Sequence, residues 1–184
     1  MAQQSNILKA GKILIAEPFL ADPNFARSVV LLCQHDLEGT VGFVLNHPTQ
    51  LILGDLLPEF ISSTLPINQG GPVETNTLHM LHHVPEELGG NKVGNGIYWG
   101  GSYEALQFMD ENQKEKDVRL FVGYSGWDPA QLETELAQGS WIVGDLNPQL
   151  LFETPPQSVW EKALRALGGE YAQMANFPRN PQLN

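Results

Sequence analysis

Cys33 and His35, two residues that could perform chemistry together, end the apolar run VVLLCQH. A thiolate is a nucleophile and a metal ligand, and a neighbouring imidazole can serve as its base. Positions two apart on a β-strand share a face, so we expect Leu31, Cys33 and His35 to point the same way. The pair is then a thiol–imidazole dyad or redox sensor, part of a zinc site, or a core cysteine beside a histidine at the strand end. We favour the core interpretation, because cysteine is among the most often buried residues.

Three histidines in LHMLHHV form a second candidate group: His79, His82 and His83. On a helix, residues three and four positions apart would meet and could hold a metal ion. On a strand, His79 and His83 share one face and His82 takes the other. Pro85 and the short apolar run favour a strand, which splits the group. We therefore predict no metal and no cofactor.

The glycine-rich segments match no catalytic motif completely. GGNKVGNG lacks the Gly-Lys-Ser/Thr of a phosphate loop, and GYSGW has Trp127 where a nucleophile elbow around Ser125 needs glycine. Glycine also permits close backbone approach, and tryptophan at the end of a strand anchors packing. We therefore predict a shallow groove beside Gly70, Gly71 and Pro72 and beside Gly126 and Trp127.

Composition restricts the classes of function. The chain has 184 residues, 42% of them hydrophobic, and a formal net charge of −11 with only 10 Lys and Arg. A nucleic-acid-binding face needs clustered basic residues, so this balance argues against direct nucleic-acid binding. The single cysteine, the polar N-terminus and the lack of a long apolar run predict a cytoplasmic protein without a membrane segment.

The order of the predicted elements indicates the fold class. Strands are predicted at 12–16, 28–34, 41–46 and 119–124, with a five-residue turn over 36–40 and a helix over 103–111. Two later helices have start signals, Asp128 then Pro129, and Thr154 then Pro155. We predict an α+β fold in one compact domain, 1–184, with a mixed, mainly antiparallel sheet that could curve like a barrel and is covered by helices.

The stretch CQHDLEGTVGFVLNHP resembles the Cys-x-His-x-x-x-Gly-x-x-Gly-x-x-x-Asn pattern of the YqgE/AlgH family of bacterial proteins. Similar blocks occur in GKILIAEPFLADPNFARSVV, GGPVETNTLHMLH, GYSGWDPAQLETELAQGSWIV and LFETPPQSVWEKALRALGG, which together span a core of residues 7–169 and leave a C-terminal tail of 170–184. The residues at motif positions are Cys33, His35, Gly39, Gly42, Asn46, Gly70, Gly71, Pro72, His82, Gly126 and Trp127.

The resemblance implies a compact α+β domain but no established activity. Some family members carry the label of transcriptional regulator, which no DNA-binding motif supports. This chain departs from the family pattern at Pro129-Ala130, where many members have glycine, and in the ending NFPRNPQLN.

We expect a non-enzymatic domain that binds a small ligand or a protein partner at the predicted groove. The alternatives are a transcriptional regulator, which rests on the family label alone, and a thiol enzyme or redox sensor that uses Cys33 and His35.

Overall fold

The structure is a computed structural model, which describes residues 8–178. This part of the chain contains ten strands, β1 (Lys12–Ala16), β2 (Val29–Asp36), β3 (Gly39–Val44), β4 (Pro48–Ile52), β5 (Pro66–Gln69), β6 (Val73–His82), β7 (Asn91–Gly94), β8 (Ile97–Trp99), β9 (Val118–Trp127) and β10 (Trp141–Asp145). It also contains the helices α1 (Leu53–Leu56), α2 (Pro85–Leu88), α3 (Tyr103–Phe108), α4 (Glu111–Asp117), α5 (Gln131–Ala137), α6 (Pro148–Phe152), α7 (Pro156–Leu167) and α8 (Gly169–Met174), and a 3₁₀ turn at Pro58–Phe60.

The strands form one curled sheet in the order β10-β1-β2-β3-β9-β6-β8-β7, with β5 joined to β9 and β4 joined to β5. The β5–β9 pair is parallel, and the other described pairs are antiparallel. The sheet curves into a half-barrel with helices packed against it, which confirms the predicted α+β fold.

Both faces of the central strands are buried, which explains why β2 is apolar along most of its length. Val29 and Leu31 of β2 face a cluster that also contains Trp160 of α7, whereas Val30 and Leu32 face a second cluster. Helix α5 covers that second cluster with Leu132 and Leu136. A third cluster joins β5, β6 and β9 to α1 and α3.

The predicted hairpin is present, but its turn is shorter than expected. Strands β2 and β3 pair as far as Asp36 and Gly39, so only Leu37 and Glu38 form the turn. Asp36 accepts a hydrogen bond from the backbone N–H of Glu38 at 2.8 Å, which stabilises this tight reversal.

Three predicted helix boundaries were wrong. Ser102 caps α3 as expected, but the extended Met109 ends that helix early. Helix α5 begins at Gln131 rather than at Pro129, because Ala130 has a left-handed backbone with φ 64°. Glycine would adopt that conformation without strain.

Helix α7 also begins later than predicted, at Pro156. Thr154 does not cap it, since its hydroxyl donates to the carbonyl of Gln149 in α6. Pro155 stays extended because the residue that precedes a proline is disfavoured in helical conformation.

Part of the predicted tail is folded. Helix α8 packs against α7, and Ala175 is buried against the main cluster. Phe177 stacks on Phe19 with ring centroids 5.8 Å apart. Residues 179–184 of the predicted tail lie outside the described residues. Within the described residues, no helix is long and apolar enough to cross a membrane.

Candidate functional site

Cys33 and His35 do not share a face of β2, which overturns the expected side-by-side arrangement. The register of β2 against β3 shifts between Leu32 and Gln34, so Cys33 is the extra residue of a β-bulge. A bulge reverses the alternation of side chains beyond it. Cys33 therefore packs with Leu31 in the main cluster, whereas His35 lies beside its partner Thr40 on the other face.

The surroundings of the two residues do not activate a thiol. Cys33 is 8% exposed, and burial raises the pKa of its thiol far above the usual value. Nδ1 of His35 lies 2.8 Å from the hydroxyl of Thr40, and its Nε2 lies 3.8 Å from a carboxylate oxygen of Glu133. The imidazole is therefore part of the β3–α5 surface, away from the thiol.

The three other histidines are separated as the strand pattern predicted. His79 packs against Phe43 in the main cluster, and His82 is fully buried on the opposite side of β6. His83 lies 2.7 Å from a carboxylate oxygen of Asp117. In the described part of the chain, no group of three or more His, Cys, Asp or Glu side chains is arranged to hold a metal ion.

His82 has a structural role in the β6–β8 region. Its Nδ1 accepts the backbone N–H of Val84 at 3.2 Å, so its Nε2 carries the proton that is donated to the carbonyl of Gly100 at 3.0 Å. Because Nδ1 accepts a hydrogen bond, the ring must be neutral. Burial lowers the pKa of His82, which favours that neutral form.

Gly70 and Gly71 lie inside the sheet rather than along an open groove. A Cβ on Gly70 would lie 2.4 Å from the carbonyl oxygen of Gly123, and a Cβ on Gly71 would lie 2.2 Å from that of Tyr124. The hydroxyl of the buried Ser125 donates to the carbonyl of Gly70 at 2.9 Å. These glycines therefore let two chain segments cross closely, while Pro72 beside them is exposed.

Gly126 and Trp127 line a shallow cleft of about 390 Å³, which Gly39, Tyr124 and Asp128 also line. The indole of Trp127 is 5% exposed and donates to Glu135 at 3.0 Å. Trp127 therefore packs as an anchor beside this cleft. Gly70 and Gly71 do not line this cleft.

A larger cleft, of about 600 Å³, lies at the start of β2 and was not predicted from the sequence. We call it the Arg27 cleft, and its lining includes Phe19, Arg27, Asn46, His47 and Trp160. The guanidinium carbon of Arg27 lies 4.4 Å from the centroid of the Trp160 ring, in a cation–π contact. Arg27 also donates to the carbonyl of Phe177 at 2.5 Å.

The side chain of Asn46 holds the backbone around Arg27 through two hydrogen bonds. Its side-chain oxygen accepts the N–H of Val29 at 3.0 Å, and its Nδ2 donates to the carbonyl of Arg27 at 2.9 Å. Arg27 itself has φ 53°, a left-handed conformation that costs a residue other than glycine about 1 to 2 kcal/mol. This motif asparagine therefore holds a strained arginine at the cleft.

The remaining walls of the Arg27 cleft combine aromatic rings with one neutral imidazole. Nε2 of His47 lies 3.0 Å from the hydroxyl of the buried Ser28, and burial lowers the pKa of His47. Trp160 is anchored by its indole N–H, which donates to the carbonyl of Ala16 at 2.9 Å. Phe19 is 43% exposed and stacked on Phe177 at the rim.

One sequence signal could have pointed to this cleft. Asn46 is the last residue of the predicted strand 41–46, where an amide side chain can cap neighbouring backbone groups. Its partner Arg27 lies two residues before the buried strand β2. The contact with Trp160 depends on the tertiary fold.

Comparisons with known proteins agree with this architecture. A family model described as AlgH-like matches residues 13–172. A UPF0301 protein of Chlorobaculum tepidum is 38% identical over 187 residues, covering 100% of both chains, and one of Cytophaga hutchinsonii is 41% identical over 182 residues, covering 97% of this chain and 100% of that protein.

Two solved structures have the same fold. A crystal structure of a Corynebacterium diphtheriae protein superposes with a TM-score of 0.76 at 22% identity, over 92% of this chain and 93% of that one. The solution structure of the AlgH protein from Pseudomonas aeruginosa, a UPF0301 protein, superposes with a TM-score of 0.67 at 28% identity, over 91% of this chain and 93% of that one. The family match spans most of the chain and agrees with the motif resemblance, so the protein belongs to the AlgH-like (YqgE/AlgH) family.

Proposed function

We propose that this protein is a binding domain, which holds a small molecule with an anionic group and a planar apolar part in the Arg27 cleft. The observation that carries this proposal is the strained backbone of Arg27 and its clamp by Asn46. Backbone strain of this kind concentrates at ligand sites, where the surrounding structure holds a side chain in a chosen position.

The charges around the cleft favour an anion. Arg27 and Glu161 are the charged side chains among its lining residues, and Glu161 pairs with Arg165 at 2.7 Å. His47 contributes no positive charge at neutral pH, because its pKa is lowered. Arg27 supplies the basic group among the described lining residues, and arginine suits carboxylate, sulfonate and phosphate groups.

The aromatic walls favour a planar apolar group beside the anion. Trp160 covers one face of the Arg27 guanidinium, and Phe19 is exposed at the rim. Ligand sites commonly combine such apolar walls with a few positioned polar groups. The volume of about 600 Å³ lies in the range of such sites.

Arg119 is also part-buried and also lines a cleft, but its guanidinium is occupied by backbone carbonyls. Its N–H groups donate to the backbone carbonyls of Glu115, Val118, Leu151 and Phe152. Burial lowers the pKa of Arg119 from its ordinary value. This guanidinium ties α6 to β9, so we assign it a structural role.

A fluorescent aromatic sulfonate, 8-anilinonaphthalene-1-sulfonate, tests the proposal on the full-length protein. Removing a charged hydrogen-bond donor costs about 1.5 to 3 kcal/mol, so Arg27→Gln should weaken binding by about tenfold or more. Arg27→Lys keeps the charge but loses the planar stacking, so its affinity should fall in between. Lys92→Gln, on the exposed edge strand β7, is the matched charge control.

Equal affinities for Arg27→Gln and the unchanged protein would refute the proposal. So would an equal loss in Lys92→Gln, because that result would show attraction to overall charge only. Circular dichroism of each variant distinguishes lost binding from lost folding.

The transcriptional-regulator alternative needs a basic face. The exposed lysines of residues 8–178 are spread along the chain: Lys92, Lys116 and Lys162 lie on β7, α4 and α7, and Lys9 precedes β1. Non-specific binding to DNA is strongest at low salt, so a gel shift at low salt tests this alternative. We expect no shift, and we infer a cytoplasmic protein that works through a small ligand or a protein partner.

A further inference from the structure

Several large apolar side chains on one part of the molecular surface are exposed to solvent. Phe108 at the end of α3 is 81% exposed, and Ile61 after the 3₁₀ turn is 77% exposed. Leu56 at the end of α1 is 36% exposed. Grouped apolar exposure of this kind commonly marks a surface that binds a partner.

Specific contacts bring the elements that carry these side chains together. Nε2 of Gln107 donates to the carbonyl of Glu59 at 3.1 Å, and the hydroxyl of Ser63 donates to Glu111 at 2.9 Å. Phe60 is buried beneath them in the third cluster. Because Phe108 and Ile61 each lie within two residues of the Gln107–Glu59 bond, they stand on adjoining parts of one surface.

The same surface carries negative charge only. Residues 51–63 contain two acidic and no basic residues, and residues 102–113 contain three acidic and no basic residues. We call this region the acidic apolar surface, which comprises the apolar Leu56, Ile61 and Phe108 and the exposed acids Asp55, Glu59, Glu104, Asp110 and Glu111.

Two lysines follow the second segment on α4, of which Lys116 is exposed and Lys114 is buried. Lys114 is 3% exposed and pairs with Glu111 at 2.6 Å. In the part of the chain that the structure describes, the other four acids form no ion pair. A partner would therefore meet apolar side chains surrounded by unpaired carboxylates.

We propose that the acidic apolar surface binds a basic amphipathic segment of another protein. A helix with Lys or Arg beside an apolar stripe complements both properties, and opposite charges steer and orient such an association. A second copy of this chain fits poorly, because each copy carries a formal net charge of −11 and the surfaces would repel. This surface is separate from the Arg27 cleft, so the two proposals can fail independently.

A labelled amphipathic peptide of leucine and lysine, about 15 residues long, tests the proposal by fluorescence anisotropy with the full-length protein. The unchanged protein should bind it, and a peptide with glutamate in place of lysine should not bind. The pair Ile61→Ser and Phe108→Ser should weaken binding by about tenfold, since each removes a large apolar contact. The pair Glu59→Lys and Glu104→Lys should weaken it as strongly and reduce its dependence on salt.

Leu37→Ser is the matched control. Leu37 is 95% exposed between Asp36 and Glu38, so it combines an exposed apolar side chain with acids elsewhere on the protein. The proposal requires this variant to bind the peptide as well as the unchanged protein.

The proposal is overturned if the lysine peptide fails to bind, or if Leu37→Ser weakens binding as much as the surface variants. Sedimentation that shows a dimer broken by Ile61→Ser and Phe108→Ser would assign the surface to a second copy instead, which also overturns it. Equal binding to neutral phosphatidylcholine vesicles, lost in the same variants, would reassign it to a membrane.

Discussion

Asn46 donates a hydrogen bond from Nδ2 to the backbone carbonyl of Arg27 at 2.9 Å and holds Arg27 at φ 53°. The same amide accepts the N–H of Val29, so it brackets the turn into β2. The position of the Arg27 guanidinium over Trp160 therefore depends on a side chain from the segment that follows β3.

Replacing Asn46 with alanine should reduce both stability and binding. The variant leaves two backbone groups without their partner, so the free energy of unfolding should fall by about 1 to 3 kcal/mol. Affinity for the aromatic sulfonate should fall as well, because Arg27 is released. Urea unfolding and fluorescence titration measure the two effects.

Asn68→Ala is the control for that variant. Asn68 is buried and, like Asn46, donates to a backbone carbonyl, that of Leu120, but it does not line the Arg27 cleft. It should lose stability and keep the affinity. If Asn46→Ala lost no more affinity than Asn68→Ala, Asn46 would have no positioning role.

The native thiol of Cys33 should react slowly with iodoacetamide. Burial raises the thiol pKa and limits access, so alkylation near pH 8 should be about a hundredfold slower than for a free thiol. Unfolding in urea should restore the ordinary rate. Fast labelling of the folded protein would instead support the redox-sensor interpretation.

Stability should fall as the pH decreases below neutrality. Burial lowers the pKa values of His47, His79 and His82 from the ordinary 6.5, so the unfolded chain binds protons that the folded chain does not. The stabilisation from these neutral rings is complete above about pH 7 and is lost as the pH falls through 6.5 toward the lowered values. Urea unfolding at several pH values measures this slope.

His82→Gln separates one contribution to that slope. The variant should be less stable at pH 7, because it disturbs the hydrogen bonds to Gly100 and Val84, and its stability should depend less on pH. His35→Gln serves for comparison. The ring of His35 does not make the two opposed hydrogen bonds that require His82 to be neutral. An unchanged slope in His82→Gln would contradict the structural role assigned to His82.

Gly70→Ala should destabilise the fold strongly. Its Cβ would lie 2.4 Å from the carbonyl oxygen of Gly123 and 2.7 Å from the Phe43 ring, so about 3 kcal/mol or more should be lost. Gly96→Ala has open space and only a positive φ of 78°, so it should cost about 1 to 2 kcal/mol. Equal unfolding energies for the two variants would show that close crossing of the chain at Gly70 is unimportant.

Local patterns predicted much of the fold. The alternation in β2 and β3 and the turn residues between them identified the hairpin, and Ser102 identified the start of α3. The bulge at Cys33 escaped prediction because it depends on a register shift against β3 and not on the residues of β2 alone. That single inserted residue separated the thiol from the imidazole.

The sequence predicted only part of the candidate site. Asn46 stood at a motif position, but its partner Arg27 and the wall formed by Trp160 come from segments far apart in the chain. The left-handed backbone of Arg27 has no signature in its residue type, unlike a glycine in the same conformation. Gly126 and Trp127 line the smaller cleft, and their part in ligand binding stays a prediction.

The four tryptophan indoles make the central claim directly measurable by NMR of the ¹⁵N-labelled protein. The Trp160 indole N–H lies at the Arg27 cleft, whereas that of Trp127 bonds Glu135 beside the smaller cleft. During titration with the aromatic sulfonate, we predict progressive shifts of the Trp160 indole and the Asn46 side-chain amide, with the Trp127 indole unmoved. Assignment follows from Trp160→Phe. Shifts at Trp127 with an unmoved Trp160 would contradict the account and place the ligand at the smaller cleft.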